Sequence, residues 1–89
     1  MAGNKDISDK RGELDELDEA LLRTLNKRAE LSLKIRELKI KSNFPLYDAK
    51  REEEILNRLC EKNDGPLYDD DVRHLYSEIL KVIRGLPNE

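Results

Sequence analysis

The sequence predicts an all-α protein: one long helix and two short ones per chain, assembling as an intertwined helical homodimer. Three observations point there. Charged residues fill 42% of the 89 positions and hydrophobic ones 37%, with three tyrosines and one phenylalanine as the aromatics, so the residues that strands prefer are sparse. Leu14, Leu21, Arg28 and Ile35 recur every seven residues, and Leu17, Leu31 and Leu38 fill the companion slots of the same helical stripe. Two later segments carry apolar residues at helical spacing between strong breakers.

Residues 1–6 lack apolar periodicity and are expected to be disordered, which leaves 7–89 as one helical domain. Helix 1 is expected from Ser8, an N-cap residue type, to Ser42. It contains no proline, and Gly12 costs only about 1 kcal/mol in so long a helix. Glu30 with Lys34 and Glu37 with Lys41 are correctly oriented i,i+4 pairs for its solvated side. Asn43-Phe44-Pro45 ends it, because asparagine tolerates the left-handed position after a helix and proline disfavours a helical residue before it.

Asp48 then reads as the N-cap of helix 2, whose apolar face is Ile55, Leu56 and Leu59 and whose end is Asn63-Asp64-Gly65-Pro66. Helix 3 starts within Asp69-Asp70-Asp71, acids placed where the helix dipole favours them. Its Val72, Leu75, Tyr76, Ile79, Leu80, Ile83 and Leu86 follow the spacing of one buried face. A helix of about 34 residues is some 50 Å long, roughly twice the length of either partner, so a second copy of the chain is expected to cover the remainder.

The net charge is −3, with acids and bases interleaved, which offers no electrostatic footprint for nucleic acid or a membrane surface. One cysteine, Cys60, leaves no internal disulfide, and no apolar run reaches the roughly 18 residues of a membrane span, so a cytoplasmic location is expected. His74 has no second histidine or thiolate near it in sequence, and Cys60 follows Leu59 as packing. Tyr47, Tyr68 and Tyr76 read as core or rim packing.

Arg28 occupies a stripe position where an apolar residue belongs. Burying an unpaired charge costs roughly several kcal/mol, so the guanidinium needs either an internal carboxylate, such as Asp18 or Glu52, or an anionic ligand. Lys39 lies eleven residues on, close to three turns, and so leaves helix 1 within about 20° of Arg28. Arg11 is about 25 Å away along the axis and rotated by roughly a quarter turn, so it serves such a pocket only across an antiparallel dimer. Asp48, Arg51 and Glu52 open helix 2, where Arg51 has the spacing to fold back on the cap carboxylate and free backbone N–H groups await a polar ligand atom. Three cations, a carboxylate and a helix start suit a compact dianion.

At these residues the chain resembles the all-helical class of chorismate mutase. The pattern runs from Arg11 through Leu17-Asp18-Glu19, Leu21-Leu22 and Asn26-Lys27-Arg28 to Lys39. It continues from Pro45 to Asp48, through Arg51-Glu52, and closes on Leu75-Tyr76-Ser77-Glu78-Ile79, covering nearly all of residues 7 to 86. The resemblance implies an entwined dimer that converts chorismate to prephenate by Claisen rearrangement, without metal or organic cofactor. That reaction needs neither nucleophile nor acid–base pair, only a held conformer and stabilised charge. By resemblance Arg28, Lys39 and Glu52 are the catalytic residues, with Arg28 and the partner's Arg11 on the carboxylates and Lys39 on a carboxylate and the ether oxygen. Glu52 and the Asp48 region would take the ring hydroxyl, with Arg51 supporting that corner through Asp48.

Two positions depart from the family pattern. Ile83 stands where a small polar residue is usual, and Pro87 where a glutamine or glutamate normally gives the second hydrogen bond to the ether oxygen. Proline has no side-chain donor, and losing one preorganised donor costs roughly 10²–10³ in rate. A weakly active or non-catalytic domain that senses chorismate or prephenate therefore stays open as an alternative, as does isochorismate pyruvate lyase, which uses a similar cationic pocket on a related dianion. The Gly65-Pro66-Leu67 connection also resembles mutase domains fused to a prephenate dehydratase or a deoxyheptulosonate-phosphate synthase.

Overall fold

The computed structural model describes residues 2–88; Met1, the first residue of the stretch expected to be disordered, lies outside the described residues, as does Glu89. Three helices follow in order, α1 (Ala2–Lys41), α2 (Ala49–Lys62) and α3 (Asp69–Arg84), with no strand among the described residues. The all-α expectation of one long and two short helices holds. Among the described residues no helix is long and apolar enough to cross a membrane. The chain divides into two compact units, Met1–Ser32 and Leu33–Glu89.

The first unit is a stretch of α1 alone. Its helix begins at Ala2, so Ser8 lies inside the helix instead of capping it, and residues 2–6 are helical where periodicity suggested none. No proline interrupts this stretch, and once a helix is nucleated each further turn adds hydrogen bonds at little cost, even through Gly3 and Gly12. Ile7, Leu14, Leu17, Leu21 and Leu22 are each more than half exposed, while Leu25 is half-buried. Along it Lys10 pairs with Glu13 at 2.9 Å. Neither Glu30–Lys34 nor Glu37–Lys41 closes, because a solvated pair gains only a few tenths of a kcal/mol against the rotamer freedom it gives up.

The second unit holds the end of α1 with α2 and α3. α1 stops through a left-handed residue, Asn43, at φ 58°. The Phe44 N–H donates to the Lys39 carbonyl at 2.9 Å and the Asn43 N–H to the Ile40 carbonyl at 3.3 Å, the paired bonds that satisfy a helix's last carbonyls. Asp48 caps α2 as expected, its carboxylate accepting from the Arg51 N–H at 3.0 Å. α2 ends at Asn63, whose amide donates to the Leu67 carbonyl at 2.8 Å and to the Asp69 carboxylate at 3.0 Å, tying the connection to the start of α3. The Asp71 carboxylate accepts from the Tyr68 N–H at 3.4 Å.

α2 and α3 pack face to face, and the buried side chains of the described residues are Ile55, Leu80 and Ile83. Leu56 and Leu59 on α2, with Val72, Tyr76, Ile79 and Leu86, are half-buried around them. Leu75 is more than half exposed; it sits about 80° around the helix from Ile83, on the flank of the apolar face. Arg73 pairs with Glu53 at 3.1 Å and also donates to Asn57, closing the polar edge of the same contact.

So small a core gives weight to one polar contact. Arg36 extends from α1 to the end of α3, where its guanidinium donates to the carbonyls of Leu86 (2.6 Å), Ile83 (3.1 Å) and Arg84 (3.1 Å) and to Oδ1 of Asn88 (2.8 Å). A helix leaves its last carbonyls without internal donors, and a planar guanidinium with five N–H groups serves several at once. Arg36→Met should lower stability by about 1–3 kcal/mol in urea unfolding. Arg36→Lys should recover only part of it, because an ammonium lacks the planar fork.

Candidate active site

Lys39 is half-buried near the end of α1, and its ammonium reaches the carbonyl of Leu46 at 3.5 Å. This places the amine beside the Phe44–Tyr47 connection. Its neighbours on the helix sort by face: Leu33 and Arg36 are half-buried, whereas Ile35, Leu38 and Ile40 are more than half exposed. The heptad stripe is therefore not the face α1 turns inward in this unit.

The start of α2 supplies Asp48, Arg51 and Glu52 within one turn. Asp48 uses its carboxylate as the cap and its carbonyl to accept from the Glu52 N–H at 3.1 Å. Arg51 does not fold its guanidinium back on Asp48; only its backbone N–H bonds there, and its side chain lies toward Glu54 at 3.9 Å. An Asp already accepting from the backbone of the first turn gains little from a second donor, whereas i,i+3 spacing brings Glu54 within reach along the helix surface.

Glu52 turns the other way, its side chain 23% exposed and its Oε1 accepting from an Arg84 guanidinium N–H at 2.8 Å. The Arg84 guanidinium carbon lies 4.7 Å from the centre of the Tyr47 ring, in the range of a cation–π contact. Tyr47, expected only to pack, thus braces a cation at the site. The loop before α2, the first turn of α2 and the last turn of α3 meet in this triad.

Of the two departing positions, Ile83 is buried in the α2–α3 core with its carbonyl held by Arg36. Pro87 is exposed in the segment whose Leu86 carbonyl and Asn88 side chain Arg36 also holds. In the first unit, Arg28 is half-buried and donates to the Ser32 hydroxyl at 3.3 Å, while Arg11 is exposed. Arg84 and Arg36 escaped the sequence reading, since one lies 32 residues from Glu52 and the other about 50 from its acceptors. His74 is exposed, and the half-buried Cys60 points its sulfur at the Asp69 carbonyl at 3.6 Å.

Residues 10–86 match the family of chorismate mutase type II. This chain belongs to that family. Among solved members, the chorismate mutase of Thermus thermophilus, in its form II structure, superposes with a TM-score of 0.88 and 39% identity, over 90% of this chain and 91% of that one. The chorismate mutase of Helicobacter pylori, crystallised with prephenate, gives 0.78 and 38% over 88% and 84% of the two chains. The bifunctional chorismate mutase/prephenate dehydratase of Aquifex aeolicus (strain VF5) is 34% identical over 86 residues. Its counterpart from Neisseria gonorrhoeae (strain ATCC 700825 / FA 1090) is 37% identical over 70. The alignments take in 92% and 79% of this chain but only 24% and 19% of those relatives, so the chain spans about a quarter or less of their length.

Removing the α2 cap tests the local geometry that carries Arg51 and Glu52. Asp48→Ala should cost about 0.5–2 kcal/mol in urea unfolding and Asp48→Asn much less, because the amide oxygen still accepts from the Arg51 N–H.

Proposed function

We propose that this chain is a chorismate mutase, rearranging chorismate to prephenate within a homodimer. The observation that carries the reading is the family match over residues 10–86, reinforced by near-complete coverage of a solved chorismate mutase at 39% identity. The prephenate held by the Helicobacter pylori relative supports the same small dicarboxylate as this chain's product. The first unit's leucines, more than half exposed along one helix, support pairing with a second copy.

The chemistry asks little of the protein in bond making. One C–O bond breaks and one C–C bond forms within the substrate, so the work is holding the reactive conformer and meeting negative charge on the departing ether oxygen. Arg28 takes one carboxylate, a second copy's Arg11 the other, and Lys39 a carboxylate and the ether oxygen. Lys39 is suited to this because it is half-buried and its ammonium holds the Leu46 carbonyl only through a long 3.5 Å bond, which a substrate anion displaces readily. Glu52 accepts from the ring hydroxyl, with Asp48 beside it at the helix start, while Arg51 lies at the rim toward Glu54.

With Pro87 offering no donor and Ile83 turned into the core, Lys39 meets the ether oxygen alone, which favours modest turnover. That same observation favours a second reading, a domain that binds chorismate or prephenate without turning it over. Both curated relatives join a prephenate dehydratase to their mutase, so a prephenate-consuming partner, fused or associated, is the proposed companion. A cytoplasmic location completes the reading.

Purified protein should consume chorismate, followed by its absorbance, faster than the uncatalysed rate and yield prephenate. Binding without turnover would establish the sensing reading instead, and pyruvate release from isochorismate would establish the lyase. Arg28→Ala and Lys39→Ala should each lower kcat/KM by about a hundredfold or more while leaving the thermal midpoint within a few degrees. Mixing Arg11→Ala with Arg28→Ala protein should restore part of the activity, since one site of such a heterodimer keeps both arginines; no recovery would exclude the shared site.

A further inference from the structure

Glu52 has a feature that its place in the first turn of α2 does not explain. Its Oε1 is held at 2.8 Å by Arg84 from the far end of α3, and among the described residues Oε2 has no hydrogen-bond partner. A glutamate has three rotatable bonds, and an exposed one samples many rotamers. Here one oxygen is pinned, so the other is presented in a set direction.

The cation doing the pinning is itself held twice. Tyr47, from the loop ahead of α2, stacks on the Arg84 guanidinium at 4.7 Å. Arg36 binds the Arg84 backbone carbonyl at 3.1 Å along with the carbonyls of Ile83 and Leu86. Neither end of Arg84 moves without breaking one of these contacts. The arrangement is local to the second unit and draws on four segments of it: the end of α1, the loop before α2, the first turn of α2 and the end of α3.

We propose that Arg84 is a positioning residue, fixing Glu52 so that its unoccupied carboxylate oxygen accepts from the ligand's ring hydroxyl. This rests on the chorismate mutase reading and deepens it by naming what sets hydroxyl recognition. The hydroxyl makes and breaks no bond in the rearrangement. Its hydrogen bond is equally strong in ground and transition states, so loss of Arg84 acts on KM and leaves kcat nearly unchanged.

The test is steady-state kinetics on the full chain for wild type, Arg84→Met, Arg84→Lys, Glu52→Ala and the Arg84→Met/Glu52→Ala double variant, with thermal midpoints for each. Arg84→Met should raise KM for chorismate roughly five- to tenfold with kcat within about twofold. Arg84→Lys, which keeps the charge but loses the planar stack on Tyr47, should fall between. In the Glu52→Ala background the same Arg84→Met change should shift KM by less than about twofold, because the group being positioned is gone.

An equal KM shift in both backgrounds, an unchanged KM, or a fall in kcat that tracks the thermal midpoint would overturn the proposal while the mutase reading stands. Should wild type show no turnover, the same cycle is read in prephenate dissociation constants by calorimetry. Coupling between Arg84 and Glu52 there supports the positioning role within a sensing domain, and its absence overturns it. Wild type that neither rearranges chorismate nor binds prephenate overturns both.

Discussion

The second unit depends on how Arg36 closes the end of α3. With Ile55, Leu80 and Ile83 as its buried side chains, the α2–α3 core is too small to hold three segments in register by apolar burial alone. One guanidinium collecting three carbonyls and an amide oxygen supplies direction that burial does not, since hydrogen bonds are angular and apolar contact is not. Everything chemical at the end of α3, Arg84 above all, inherits its place from that contact.

The first unit poses the opposite problem. It is a helix on which Ile7, Leu14, Leu17, Leu21, Leu22 and Leu31 are more than half exposed, among them Leu14, Leu17, Leu21 and Leu31 of the heptad stripe. Its hydrogen bonds close within the segment, so the helix stands without help from the apolar side chains it presents. The first unit thus carries exposed apolar residues along one helix, and the second a polar corner where Glu52, Arg84 and Tyr47 meet.

Much of the fold was legible because its signals are local. Asn43-Phe44-Pro45, Asp48 and Asn63-Asp64-Gly65-Pro66 each act within a few residues, and each marks a helix end where the residue types said it would. The helix start was misplaced because Ser8 is a permissive cap residue, not an obligatory one, and a continuing helix overrides it. The Arg28–Lys39 pair drew attention through periodicity, and Glu52 through the helix start. Arg84, Tyr47 and Arg36 stayed hidden because their partners are brought together by the packing of α3 and not by any repeat in the chain, and Arg51 was misjudged because two acceptors stood within reach of one spacing.

Asn43 is the one non-glycine residue with positive φ among the described residues, and the three residues after it lead directly to Tyr47 and Asp48. A mirror-handed backbone step sets the heading of all that follows, as a hinge pin sets the plane of a door. Substituents on Phe44 or Leu46 can vary in bulk while the strap keeps its course. A β-branched residue at 43 would instead resist the required twist and swing the aromatic brace off its cation, so the tolerance of this corner to sequence drift is concentrated everywhere except its pivot.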